Sequence, residues 1–264
     1  QDVINLVQYL HAKAIQFFVI GNGSNLLVCD EGIRGVVLNF ERGLTNIHAE
    51  GEVVYVEAGV LLARFVDFCI QIERQGVEML AGIPGTIGGA VIMNAGAYGG
   101  EVSDYLMKVE AVRDGEVISV HKESAQFAYR RSGLTQDVVL SASFQLPRGE
   151  KAELIRRRRE LLIKRNTSQP LNFPNSGSVF KNPAGNFAAQ LIEQAGLKGT
   201  KRGNAQISEK HSNFIVNTGG ATANNVIELM RVARSTVLQK FGITLEPEVK
   251  LIGFPPNIVR EFIN

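Results

Sequence analysis

Residues Met79–Gly100, MLAGIPGTIGGAVIMNAGAYGG, contain seven glycines and no charged side chain. No other feature restricts the fold as much. A membrane-spanning helix is excluded because Pro84, Asn94 and the glycines would leave backbone groups unsatisfied in lipid, and long aliphatic side chains are few. Glycine lets backbone N–H groups come close to a bulky neighbour and lets the chain adopt positive φ. Consecutive N–H groups exposed in this way form a concavity for an anion such as a phosphate or pyrophosphate. Tight packing of turns, with no ligand, would account for the Gly-Gly pairs equally well.

A second stretch has the same character. An apolar run from Gln16 to Ile20 leads straight into Gly21-Asn22-Gly23-Ser24-Asn25, and Leu26 to Val28 follows. A strand feeding such a loop suits a phosphate-cradling turn, but a tight hairpin is an equal alternative. The third glycine and the following helix of a Rossmann fingerprint are absent.

Composition narrows the function classes. The chain of 264 residues has 45% apolar and 20% charged residues, as a soluble globular protein does. Its formal charge of +2 excludes nucleic-acid binding driven by excess charge. Cys29 and Cys69 lie far apart among apolar neighbours, which predicts buried free thiols in a reducing compartment. His11, His48, His121 and His211 are scattered without ligand spacing, so no metal is expected. There is no signal peptide, and cytoplasmic localisation follows by default. The first residue is Gln1, so the true N-terminus is expected to lie upstream.

Periodicity predicts an amphipathic helix over Asp2–Ala12 and a second over Leu61–Glu73, with Leu62, Phe65, Val66, Cys69 and Ile70 on one face. Strands are predicted at 36–40, 53–58 and 138–146, with a hairpin of 109–112 and 117–120 turning at Asp114-Gly115. Pro147-Arg148-Gly149 marks a boundary. Lys151–Arg165 is predicted helical; its run Arg156-Arg157-Arg158-Arg159 fans around the axis, which predicts a solvated face. Two further helices are predicted: Phe187–Ala195, capped by Asn186, and Ala223–Phe241, stopped by Gly242. Asn213–Val216 and Thr244–Gly253 read as strand-like. Strands and helices alternate without a regular βαβ repeat, so the predicted class is α+β.

Three segments, GNGSNLLV (Gly21–Val28), AGIPGTIGGAVIMNAGAYGGE (Ala81–Glu101) and NSGSVFKNP (Asn175–Pro183), resemble the bacterial UDP-N-acetylenolpyruvoylglucosamine reductases, the MurB family. Tyr129-Arg130-Arg131-Ser132 and Leu245-Glu246-Pro247-Glu248-Val249 support the match, which spans nearly the whole chain in the family's order. The resemblance implies an FAD-binding fold of the vanillyl-alcohol-oxidase (PCMH) type over residues 1–148, in two subdomains of about 1–47 and 48–148. A connecting helix and loop over 149–175, a smaller substrate-binding domain over 176–245 and a return segment over 246–264 would follow. The short span between Arg130 and Ser178 resembles the family's second type, which lacks a tyrosine-bearing loop over the substrate. The family's usual N-terminal strand with a Gly-Gly turn is missing.

The implied reaction is reduction of the enolpyruvyl group of a UDP-sugar to UDP-N-acetylmuramate, with FAD as cofactor and NADPH as co-substrate. No nucleic-acid partner, membrane insertion or obligate protein partner is expected. Arg130 matches the family's carboxylate-binding arginine, a role suited to a planar fork of donors. Ser178 matches the proton donor to C2. Glu248 matches the catalytic glutamate; an ionised carboxylate would repel a forming enolate, so it is expected to be protonated or to work through a paired cation. Tyr129, Lys181 and Asn182 are candidate substrate contacts. Lys250 stands where many second-type members carry Arg, so a bidentate clamp is not implied there. The FAD pyrophosphate is expected on Gly21, Asn22, Gly23, Ser24, Asn25 and Leu26 and on Gly82, Ile83, Pro84, Gly85, Gly88 and Gly89. The isoalloxazine is expected near Asn94, Gly96 and Ala97. Two alternatives remain at this point: a flavin oxidase on the same fold, and a nucleotide-binding module without catalysis.

Overall fold

The structure is a computed structural model that describes residues 1–263. The chain forms two compact units, one of residues 1–22 with 35–165 and the other of residues 23–34 with the chain from Asn166 onward.

In the first unit, α1 (Asp2–Ala12) buries Val7 and Leu10, and its bounds are those that periodicity predicts. Strand β1 (Phe17–Ile20) ends at Gly21, and β2 (Leu26–Val28) belongs to the other unit. β3 (Val36–Asn39) pairs parallel with β1. The Gly21–Asn25 loop is therefore not a hairpin, because the strands on its two sides pair with different partners.

A five-stranded antiparallel sheet makes the frame of this unit. β4 (Ile47–Glu50) and β5 (Val53–Glu57) lead to α2 (Leu62–Gln71). After the glycine-rich stretch come β8 (Leu106–Arg113), β9 (Glu116–His121) and β10 (Val138–Gln145), in the sheet order β4-β5-β10-β8-β9. The β8–β9 turn has positive φ at both Asp114 (51°) and Gly115 (85°), as a type I′ turn requires. β5 buries Val54 and Val56, while α2 buries Leu62, Phe65, Val66, Cys69 and Ile70. Phe65 meets Phe144 of β10 with ring centroids 4.9 Å apart and tilted by 44°, within the range that favours aromatic pairs.

Within Met79–Gly100 the structure departs from an expectation of turns alone. It builds α3 (Ile87–Met93), then the short paired strands β6 (Gly96–Ala97) and β7 (Gly100–Glu101). Helix α3 stops at Asn94, which is left-handed at φ 44°. Glycine is tolerated inside α3 because Gly88 packs on β5's end: a Cβ there would lie 3.0 Å from the Ala58 Cβ.

Helix α4 (Lys151–Ser168) buries only Leu154 and Arg165. Arg156 and Arg157 both bind Glu153, Arg156 also reaches Glu160, and Arg158 donates to Asp67 at 3.0 Å. The arginine run is thus a salt-bridged outer face, as helical geometry predicts.

In the second unit, α5 (Ala188–Gln194) starts at Phe187. The Asn186 cap expected from sequence does not form. Asn182 supplies it instead, its Oδ1 accepting the Ala188 N–H at 3.0 Å, because Asn186 is held in a turn closed by Pro183. Three short strands, β11 (Lys201–Arg202), β12 (Ala205–Ile207) and β13 (Ile215–Asn217), form an antiparallel sheet. Helix α6 (Ala223–Phe241) has a capping box between Thr222 and Asn225 and ends at Gly242 in αL, φ 69°.

Thr244–Gly253 contains regular strand only at β14 (Lys250–Ile252), since Pro247 lacks the N–H that would extend a ladder. Helix α7 (Pro256–Ile263) was not anticipated. β14 pairs parallel with β2, and this pairing draws residues 23–34 out of the expected N-terminal region into the second unit. Cys69 is buried as expected; Cys29 is only half-buried and donates its thiol to Glu31.

Candidate active site

In the first unit, two glycine-bearing segments distant in sequence meet. An added Cβ at Gly21 would lie 2.1 Å from Thr86 Oγ1, so glycine is required for the end of β1 to rest on the start of α3. Asn22 turns its side chain to Glu41 Oε1 at 3.2 Å. Gly82 and Gly85 take positive φ, 78° and 140°. Gly89 has open space before it, the nearest atom to an added Cβ being Thr86 Oγ1 at 3.9 Å.

The expected ledge of N–H groups over Gly82–Gly89 is narrower than the sequence implies. Ile83, Ile87 and Gly88 give their N–H groups to the carbonyls of Leu80, Val60 and Ala58 at 3.1, 2.9 and 2.9 Å, and Pro84 has none to give. Gly88 therefore serves packing, whereas Gly89 faces space a ligand can use.

Asn94 is fully buried, at 0% exposure, and its side chain is a brace. Its Nδ2 donates to Glu101 Oε2 at 2.7 Å and to the Ala128 carbonyl at 3.2 Å, and its Oδ1 accepts the Ser103 N–H at 3.1 Å. Ser132 Oγ donates to the Ile92 carbonyl at 2.9 Å. The turn 128–132 is thereby fastened at both ends to α3 and its cap. At its tip Arg130 sits at φ 57°, lies 4.9 Å over the Tyr129 ring, and donates from Nη2 to the Gly96 carbonyl at 2.8 Å. This unit thus brings Arg130 against the Asn94–Ala97 stretch and holds the guanidinium plane there. Gly96 itself allows close pairing with Gly100, whose carbonyl would be 2.3 Å from an added Cβ.

In the second unit, Gly23, Ser24, Asn25 and Leu26 join Ser178, Lys181, Asn182 and Glu248. Gly23 has nothing within 4 Å of an added Cβ. Asn25 Nδ2 donates to the Glu248 carbonyl at 3.1 Å, and the Asn25 carbonyl accepts the Lys250 N–H at 3.0 Å. Gly177 takes φ 77° in a turn closed by Asn175 Oδ1, which accepts its N–H at 3.0 Å. The position of its missing Cβ is 3.9 Å from the Ser24 carbonyl.

Directly after Ser178 the backbone is bonded on both sides. The Val179 N–H donates to the Asn213 carbonyl at 2.8 Å, while the Val179 carbonyl accepts the Glu248 N–H, also at 2.8 Å. The Lys181 N–H donates to the Glu246 carbonyl at 2.8 Å, and their side chains form an ion pair. Lys250 is exposed overall, yet the atoms around it strip water from its ammonium and, with the Lys181 charge, push its pKa below the usual lysine value; Glu246 and Glu248 pull the other way.

Thr86 in the first unit, and Asn175, Asn213 and Glu246 in the second, have structural parts that sequence reasoning did not assign. Each is an ordinary polar residue near a turn, and only the folded partners reveal it. Among the described residues no group of three or more His, Cys, Asp and Glu is placed to hold a metal, and no helix is long and apolar enough to cross a membrane.

Residues 1–121 match a family described as FAD binding domain, and residues 169–252 match one described as UDP-N-acetylenolpyruvoylglucosamine reductase, C-terminal domain. A UDP-N-acetylenolpyruvoylglucosamine reductase of Chloroherpeton thalassium is 46% identical, covering 98% of this chain and 86% of its own. That of Caldanaerobacter subterraneus subsp. tengcongensis is 44% identical over 96% and 84%. The crystal structure of the Thermus caldophilus enzyme aligns with TM-score 0.83 at 37% identity, covering 94% of this chain and 89% of that one.

Proposed function

Because the chain belongs to the UDP-N-acetylenolpyruvoylglucosamine reductase family, we propose that Arg130, Ser178 and Glu248 are the groups with which it carries out the family's reaction. The chain is an FAD-containing, NADPH-dependent oxidoreductase that reduces the enolpyruvyl group of UDP-N-acetylglucosamine enolpyruvate to UDP-N-acetylmuramate, in peptidoglycan precursor synthesis. Cytoplasmic residence fits a nucleotide-sugar substrate and NADPH as co-substrate.

The residues present fit the cofactor. Gly23 and Gly89 each leave open the space that a side chain would fill, and Gly21 and Gly85 set the backbone that presents them. Gly21–Leu26 and, of the Gly82–Gly89 run, Gly82, Gly85 and Gly89 would hold the pyrophosphate, and the stretch from Asn94 to Ala97 would border the ring. Bound FAD supplies hydride transfer, from NADPH to C3 of the enolpyruvyl group.

The chain's own residues deal with the charge that results. Negative charge grows at C2 and spreads into the substrate carboxylate, which Arg130 pairs through its fork of donors. The bond to Gly96 keeps that fork from turning away. Ser178 Oγ–H protonates C2, and the alkoxide left behind recovers a proton from solvent. The candidate for the cation through which Glu248 would work is Lys250, two residues on in the chain, whose ammonium feels the charges of Glu246 and Glu248. Lys181 and Asn182 would contact the UDP phosphates and carboxylate, and Tyr129, whose ring lies 4.9 Å from the Arg130 guanidinium, would contact the substrate beside it.

The observation that carries this assignment is the Glu248–Val179 backbone bond, which sets the glutamate beside the residue that follows Ser178. Anaerobic spectroscopy tests the reaction: the yellow flavin spectrum should bleach with NADPH and return on adding the enolpyruvyl substrate. Recovery with oxygen but not with that substrate would point to an oxidase instead.

A further inference from the structure

We propose that Asn213 is a positioning residue for proton delivery, its side-chain amide clamping Phe180 and thereby fixing Ser178. Asn213 is 3% exposed and Phe180 is 1% exposed. Asn213 Nδ2 donates to the Phe180 carbonyl at 2.7 Å, and its Oδ1 accepts the Phe180 N–H at 3.0 Å. Its carbonyl takes the Val179 N–H at 2.8 Å.

The reason a side chain does this lies in the local backbone. Residues 208–214 form a turn in which the Ser208 N–H donates to the Phe214 carbonyl, the Phe214 N–H to the His211 carbonyl, and Ser208 Oγ accepts the N–H groups of Lys210 and His211. A chain so curved cannot run alongside Val179–Lys181 as a strand. A carboxamide carries one acceptor and a donor on one plane, as a peptide group does, so Asn213 completes the missing rung. The opposite edge of the same segment is held by Glu246 and Glu248.

Ser178 is the last residue before this doubly bonded segment. Proton transfer to carbon depends steeply on distance, and misplacement by about 1 Å can cost about 10²-fold. Loss of the Asn213 rung frees one edge of the segment that aims Ser178 Oγ while leaving FAD-binding groups untouched. The inference rests on the assignment of Ser178 as the proton donor.

The test uses the FAD-loaded enzyme, with its two half-reactions followed anaerobically in Asn213→Ala, Asn213→Asp and Ser178→Ala. For Asn213→Ala, bleaching by NADPH should keep its rate. Reoxidation by the enolpyruvyl substrate should slow by about tenfold or more, with a larger solvent deuterium isotope effect and a nearly unchanged substrate KM. Asn213→Asp keeps the acceptor for the Phe180 N–H but sets a carboxylate oxygen against the Phe180 carbonyl, so its reoxidation should be at least as slow as that of Ala when ionised and should recover as pH falls and its O–H can donate; it decides the matter alone if the Ala variant does not fold. If Ser178→Ala slows reoxidation but neither Asn213 variant does, or if both half-reactions fall together, the role of Asn213 is refuted while that of Ser178 stands. Normal reoxidation in Ser178→Ala overturns the assignment of Ser178 itself.

Discussion

Glu248 donates its backbone N–H to the Val179 carbonyl at 2.8 Å, so the segment carrying the glutamate and the segment carrying Ser178 are rungs of one ladder. Lys181 and Glu246 continue it, and Asn25 joins from a third part of the chain by taking the Lys250 N–H and donating to the Glu248 carbonyl. The three segments are thus held to one another by backbone bonds and by the Asn25 side chain. The ladder places next to each other two residues, Ser178 and Glu248, that are 70 positions apart in the sequence and that we assign to the same reaction.

Ser178→Ala separates the two half-reactions. The substitution removes the hydroxyl from a half-buried turn and leaves the backbone bonds of the ladder in place, so NADPH should reduce the flavin as before. Turnover should fall by about 10²-fold or more, the scale for losing an acid catalyst. Stopped-flow traces of reduction and reoxidation measure both, and an unchanged reoxidation rate would remove Ser178 from the mechanism.

Lys250 gives a pH signature. Desolvation, helped by Lys181, lowers its pKa from the ordinary 10.5, so its ammonium is lost earlier in the alkaline range than that of a free lysine. If Glu248 works through this cation, reoxidation should decline as pH rises toward 10.5. Lys250→Arg, which stays charged, should lose that decline, and Lys250→Met should be slow at every pH. An alkaline limb shared unchanged by wild type and Lys250→Arg would exclude Lys250 as the cation.

Periodicity predicts α1, α2 and α6 well because each has an apolar stripe or a cap of its own, as Leu62–Ile70 and the Thr222–Asn225 box illustrate. It does not reveal α3, whose residues Ile87–Met93 have no polar face and begin with two glycines near their start; the helix exists because Gly88 fits onto Ala58. The residues proposed for the site are legible as segments, through glycine loops and the Arg130, Ser178 and Glu248 matches. Its supports are not legible. Asn213 bonds to, and Thr86 packs against, backbone remote in sequence, and neither Asn186 nor Asn182 announces which of them caps α5.

His211 makes stability depend on acid. Burial, with a smaller push from Lys198 against a pull from Glu193, holds its pKa below 6.5. A folded pKa depressed in this way means that the unfolded chain takes up the proton first as pH falls. The stabilising contribution is therefore complete above about pH 6.5 and is lost as pH drops from there toward the folded value. His211→Phe keeps an aromatic ring against Phe214, whose centroid is 4.8 Å from that of the imidazole, but cannot titrate. Its melting temperature should fall less steeply than that of wild type across this window, and parallel curves would show that His211 is not the linked group.

Gly88 and Gly89 are neighbours in α3 with opposite tasks, and alanine distinguishes them. At Gly88 an added methyl would press on Ala58, 3.0 Å from its Cβ and 3.3 Å from its carbonyl oxygen, neither of which can swing aside; overpacking of this kind costs about 1–3 kcal/mol against the roughly 1 kcal/mol that alanine gains in a helix, so Gly88→Ala should lower the melting temperature of the apoprotein. At Gly89 the same methyl meets no atom closer than 3.9 Å, and alanine is the better helix former by about 1 kcal/mol, so apoprotein stability should hold or rise. The methyl at Gly89 would instead occupy the space assigned to FAD. Cofactor affinity, measured by quenching of flavin fluorescence, should weaken by tenfold or more, equivalent to about 1.4 kcal/mol. A Gly89→Ala protein that binds FAD as tightly as wild type would mean that the cofactor lies elsewhere, and the open side of α3 would need another occupant.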